Sequence, residues 1–260
     1  MRVVEKVSVI ISFVVMVTLN ALANILPING IGTGAISDSY PNLFAPAGFT
    51  FAIWGVIYLL LLVMGVYLAF KPAVSFRGFE QESRQFSWLF VISSIANSIW
   101  ILAWHYRFIL LSLVLMLVIL ACLIRMMALV NTFKWPLSQL AFVKPAIGVY
   151  FGWITVATVA NVTTYLVSIA WNGFGLSEPV WLMAILAVAT TIAFFAIGWS
   201  RCSGYGLVIL WAYWGILSKH LSPDGFNGVY PEVMVVLGVA MIVILYKTSV
   251  IAMKTLKTLK

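Results

Sequence analysis

Apolar residues run along this chain in blocks of around twenty, divided by short polar or turn-rich connections. A helix needs about that many apolar residues to cross the hydrocarbon core of a bilayer. Eight blocks read as spans, at roughly 5–26, 47–70, 86–104, 108–130, 146–170, 179–199, 204–219 and 232–252. The blocks are continuous and lack the alternation that strands facing lipid and lumen require, so a β-barrel is not expected. The expected fold is an all-α polytopic membrane protein. The first block, VSVIISFVVMVTLNALANIL after MRVVEK, has a signal-peptide look with ALA as the cleavage site. Its length is that of a span, and it reads as a retained first helix.

Composition supports this picture. Of 260 residues, 63% are hydrophobic and only 8% are charged, against about half and roughly a quarter in soluble domains. The net charge of +8 comes from basic residues scattered over short connections and the tail, with no clustered patch, so no nucleic-acid partner is expected. Their distribution carries topology instead. Arg2, Lys6, Lys71, Arg77, Arg84, Arg125, Lys134, Lys144, Arg201, Lys247, Lys254, Lys257 and Lys260 fall on one side of the alternating spans, and only Arg107 and Lys219 on the other. By the positive-inside rule both termini face the cytoplasm, which the even span count also requires. The expected location is the cell (inner) membrane of a prokaryote.

The connections differ in kind. The first outer one, at 27–46, is rich in Gly, Ser, Asn and Pro with the single acid Asp38, and reads as a turn-rich lid. The inner segment KPAVSFRGFEQESRQ reads as a solvated connection, and the lysines of the tail suit anionic headgroups. Trp88, Trp135, Trp171 and Trp181 lie near block ends and read as interfacial belts.

Much familiar chemistry is missing from the sequence. Glu5, Asp38, Glu80, Glu82, Glu178, Asp224 and Glu232 all fall in connections or at block ends, so the mid-membrane carboxylates of a proton pump are lacking. Lys219 and Lys247 sit too near block ends for a retinal Schiff base. No P-loop or GxSxG motif is present. Two cysteines, Cys122 and Cys202, imply no disulfide framework, and His105 and His220 as the only histidines argue against a metal site.

The interior aromatic residues carry the candidate chemistry. Tyr150, Trp153, Ala157 and Asn161 recur at three- and four-residue steps and share a helix face, with small Ala157 leaving a gap between larger groups. Ser93, Asn97, Trp100 and Trp104 form a similar stripe on the third block, and Trp54 and Tyr58 lie one turn apart on the second, after Pro46 and Phe49. Facing one another, these stripes would enclose an aromatic cavity with a few polar groups to orient a flat, largely apolar ligand. Each Asn also has a purely structural reading, a hydrogen bond between helices worth about 1 kcal/mol. Trp211, Tyr213 and Trp214 read as packing, and Gly206, Gly215 and Gly238 as points where helices approach closely.

These spacings resemble the tryptophan-rich sensory protein, or translocator protein, family (TspO/MBR). APAGFTFAIWGVIY matches the family's PPxxVFxxVWxxLY at Pro46, Trp54 and Tyr58. SSIANSIWILAW matches QLxxNxxW and the aromatics after it at Asn97, Trp100 and Trp104, with Ser93 in place of Gln. VYFGWITVATVAN matches PYxxWxxxAxxLN at Tyr150, Trp153, Ala157 and Asn161, with Val149 for Pro and Ala160 for Leu. The resemblance covers about residues 5–172 and implies a five-helix unit at 1–172 with the lid at 27–46, followed by a three-helix extension at 173–260 without a counterpart. GAISDSYPNLF has neither the Trp nor the Lys of the family's WYxxLxKP segment, and one proline of the PP pair remains.

The resemblance implies a receptor or sensor that binds a tetrapyrrole, sterol-like molecule or other lipid non-covalently, without catalytic residues, and that forms a homodimer. The ligand-binding residues would be Pro46, Phe49, Trp54, Tyr58, Asn97, Trp100, Trp104, Tyr150, Trp153, Ala157 and Asn161. The alternatives are a transporter or flippase whose path the extra spans complete, a porphyrin-degrading enzyme using Asp38, His105 or the aromatic residues, and a structural protein whose last spans dock a partner.

Overall fold

A computed structural model of the chain describes residues 3–26, 28–70, 80–132 and 137–258. These residues are helical, with no strand among them. The helices are α1 (Val3–Ile25), a short α2 (Thr33–Asp38), α3 (Ile53–Phe70), α4 (Glu80–His105), α5 (Ile109–Thr132), α6 (Leu137–Ser168), α7 (Glu178–Ser200), α8 (Ser203–Leu221) and α9 (Pro231–Thr258). Arg2, Lys71, Arg77, Lys134, Lys260, Trp135 and the 71–79 part of the inner connection lie outside the described residues.

Each of the eight apolar blocks forms a long helix. Seven of these, α1, α3 with its leading turn, α4, α5, α6, α7 and α9, are long and apolar enough to cross a membrane. The remaining one, α8, is not among the seven and carries Lys219 and His220 in its last turn. It packs against α6, α7 and α9. The second block starts as a 3₁₀ turn, Gly48–Ala52, and becomes α-helical only at Ile53. The fifth helix begins nine residues before the expected 146 and runs through Pro145, which lacks the N–H for one helical bond. The 27–46 connection, read as a turn-rich lid, contains the short α2 and a 3₁₀ turn at Ile28–Gly30.

Helix α6 is the hub, packed on α3, α5 and α8, while α4 bridges α1 and α5, and α9 joins α7 to α8. The last three helices therefore share a core with the first six. Close approach is secured at specific glycines. A Cβ on Gly152 of α6 would lie 2.8 Å from the Tyr205 carbonyl oxygen of α8, and one on Gly215 of α8 would collide with the Thr50 side chain. Gly206 likewise admits Thr248 of α9, whereas Gly238 faces open space and mediates no close contact.

Polar contacts place the helix ends in two groups. Glu5 pairs with Arg84 at 3.5 Å, Asn131 donates to the Trp199 carbonyl, and the Cys202 thiol donates to that of Lys144. At the other end Asp38 of the lid pairs with Lys219 at 2.5 Å. Arg84 and Lys144 thus share one end of the bundle, and Lys219 lies at the other.

Candidate functional site

The lid lies between α4 and α8 and is bonded to both. From α4, the Trp104 indole N–H donates to the Thr33 carbonyl at 3.1 Å. His105 is buried, with Nδ1 3.0 Å from the Ile28 carbonyl and Nε2 3.1 Å from Thr33 Oγ1. A carbonyl only accepts, so Nδ1 donates to Ile28, while Nε2 and the threonine hydroxyl share the second bond. His105 is thus an anchor whose two nitrogens are both engaged. From α8, Gly215 accepts from the Ala47 N–H at 3.0 Å, Trp211 Nε1 donates to the Thr50 carbonyl at 2.9 Å, and His220 Nε2 donates to that of Leu43 at 3.0 Å.

Beneath the lid the three stripes converge. Trp54 sits at the centre: it stacks on Tyr58 (ring centroids 5.6 Å apart, 20° between planes), leans on Trp100 (5.6 Å) and meets Tyr150 and Trp153 edge-on (6.1 Å each). Trp100 continues the stack to Trp104 at 6.3 Å, and Phe51 stands edge-on to Trp153 at 6.0 Å. These are favoured geometries for aromatic pairs. Residues scattered over more than a hundred positions thus form one aromatic cluster.

Of the eleven residues expected to form the site, seven line a common cavity of about 40 Å³: Pro46, Trp54, Trp100, Trp104, Trp153, Ala157 and Asn161. Ala157 provides the gap its size implied. The other four lie elsewhere. Phe49 is half exposed on the outer surface, edge-on to Trp211 at 5.5 Å. Tyr58 and Tyr150 back the Trp54 ring outside the cavity wall. Asn97 is fully buried and turned toward α1: its Oδ1 accepts from Asn20 Nδ2 at 2.7 Å and its Nδ2 donates to the Tyr150 hydroxyl at 3.0 Å. Both ends of its amide are used in joining α1, α4 and α6. Asn161 accepts from Ser112 of α5 at 2.8 Å and also lies in the cavity wall.

Sequence reasoning missed the lid and α8 walls, formed by Ser37, Phe44, Ala212 and Ile216. Ala212 and Ile216 follow Trp211 at one and five residues, on a helix that otherwise reads as packing; only their small or branched shape marks them. Asn20, the partner of Asn97, was legible as a carboxamide inside an apolar block.

Two donors in the cavity wall, Trp100 Nε1 and Trp153 Nε1, are buried without a hydrogen-bond partner, as is the Tyr58 hydroxyl behind them. A buried donor without an acceptor costs about 1–3 kcal/mol, and such groups cluster where a ligand or water completes the bonding. A cavity of 40 Å³ holds little more than a water. A larger guest would need side chains of the wall to move apart. Among the described residues no group of His, Cys, Asp and Glu is placed to hold a metal ion.

A family model described as TSPO-like protein matches residues 6–250. The match crosses residue 172 and runs well into α9, so the three C-terminal helices have counterparts in the family; this corrects the expectation that the resemblance stops where the five-helix unit ends. No curated protein and no solved structure gives a significant match.

Proposed function

The chain belongs to the TSPO-like family of membrane proteins, and from that premise we propose that it is a sensor or receptor that takes a flat, largely apolar ligand into the cluster around Trp54. The observation that carries this reading is the pair of unpartnered indole donors, Trp100 Nε1 and Trp153 Nε1, in the wall of an aromatic cavity. Such a site favours a planar ring system bearing peripheral acceptors. A tetrapyrrole with carboxylate side chains meets this description better than a sterol, whose single hydroxyl would satisfy one donor. Binding swings Trp54 off Tyr58, slots the ligand between Trp100 and Trp153, and leaves Asn161 at its edge. The location that accompanies this reading is the inner membrane of a prokaryote, with the basic end of the bundle in the cytoplasm.

The test is a titration of the purified full-length protein with protoporphyrin, followed by tryptophan fluorescence. Saturable quenching is expected, with affinity reduced at least about tenfold in Trp153→Ala, the loss of a stacking wall and one hydrogen bond. Quenching that never saturates, or that is the same in the variant, refutes the reading.

A further inference from the structure

A second and larger cavity opens at the lid end of the bundle. It holds about 280 Å³ between the lid segment at 41–44, the end of α6, the 171–176 connection and the start of α7. Phe44, almost fully buried, stands in the wall of both cavities. The outer cavity has its own aromatic group: Trp171 and Trp181 meet at 4.7 Å with 61° between their planes. The arrangement is fixed, because the Trp181 indole N–H donates to the Gly173 carbonyl. Gly173 itself has φ +62°, and a Cβ there would strike the Trp181 ring. These two tryptophans therefore do more than mark the interface as single residues.

The charge of the lining is one-sided. Glu178 is the only ionisable residue among the side chains that form the cavity, and among the described residues no cation pairs with it. An acid in the first turn of a helix is ordinary. This one, however, sits on the rim of a cavity beside two indoles set at 61° to each other, a combination suited to holding a cation through its charge and through the aromatic rings together. The rest of the lining is mostly apolar, with Leu43, Phe44 and Leu182 among its side chains, beside the uncharged polar groups of Asn42, Thr163 and Asn172.

We propose that the outer cavity binds an amphipathic organic cation, an amine or quaternary ammonium with an apolar body, the charged head between Trp171, Trp181 and Glu178 and the body against Phe44. The site is separate from the one around Trp54 and stands whether or not that one takes a tetrapyrrole.

The experiment titrates the full-length protein in lipid nanodiscs with benzyltrimethylammonium by calorimetry, with phenylmethanesulfonate as an anion of similar shape. Saturable binding of the cation and none of the anion are expected. Glu178→Gln should weaken cation binding about tenfold, Trp171→Leu by a comparable factor, and Trp171→Phe, which retains a ring face, by about threefold or less. Thermal unfolding of Glu178→Gln should match the parent, because the side chain is exposed. Protoporphyrin quenching through Trp153 should also be unchanged in Glu178→Gln, so failure of either site is distinguishable from failure of the other. No saturable cation binding, equal binding of the anion, or equal affinity in Glu178→Gln would each overturn the proposal.

Discussion

Replacing Asn97 by leucine separates the holding role of a buried carboxamide from a binding role. Leucine approximates the shape but removes both bonds of the amide, to Asn20 at 2.7 Å and to Tyr150 at 3.0 Å. Hydrogen bonds between membrane helices average about 0.6 kcal/mol each, which gives about 1.2 kcal/mol for the two. Asn20 keeps its bond to the Met16 carbonyl, whereas the Tyr150 hydroxyl loses the partner it has here and adds part of the cost of an orphaned buried group. The expected loss of stability is thus about 1–3 kcal/mol. Unfolding in mixed micelles would measure it, and a cycle with Tyr150→Phe should return a coupling of about 0.6–1.7 kcal/mol. Porphyrin affinity should fall little, since Asn97 faces away from the cavity. Asn161→Leu should show the opposite balance: about 0.6 kcal/mol lost with the Ser112 bond, but clearly weaker ligand binding. Asn97→Leu with unchanged stability and abolished binding would refute this division of labour.

Three further outcomes are expected. Gly215→Ala drives a Cβ into the Thr50 side chain and should cost about 1–3 kcal/mol by overpacking, while Gly238→Ala, which meets nothing, should be neutral or slightly stabilising in thermal unfolding. Lys219→Met breaks the pair with Asp38, but that carboxylate is about half exposed (52%), so less than about 1 kcal/mol should be lost, and the loss should shrink further in high salt. Burial pushes the Cys202 thiol up, against backbone hydrogen bonds from Tyr205 and Gly204 that pull it down. The unfolded thiol therefore ionises first as pH rises past about 8.5, stability should decline there, and Cys202→Ser should flatten the decline; maleimide should label this thiol at pH 8 only after unfolding.

The helices were legible in the sequence because twenty apolar residues in a row leave the backbone no alternative in lipid. The three aromatic stripes were legible for a similar reason: a period of three and four places Trp153, Ala157 and Asn161 on one face whatever the partner helix is. What that period does not tell is how far each stripe is rotated about its axis. Asn97 and Trp100 share a stripe, yet one turns to α1 and the other into the cavity. Phe49 was expected in the site, but in the 3₁₀ turn at Gly48–Ala52 it faces outward against Trp211. The α8 wall was illegible because its contribution, Ala212 and Ile216, is chemically indistinct. Its closeness depends on a glycine, Gly215, that looks like any other in a membrane helix.

The fastening of the lid to α8 has a mechanical consequence. Thr50, Ala47 and Leu43 are bonded in turn to Trp211, Gly215 and His220, from the middle to the end of a helix that begins beside Lys144 at the opposite end of the bundle. Nineteen residues make a rod about 28 Å long. The chain cut at residue 172 would keep every stripe read from the sequence and the bonds of the lid to α4, yet it would lose the second fastening, which ties Leu43, Ala47 and Thr50 to α8.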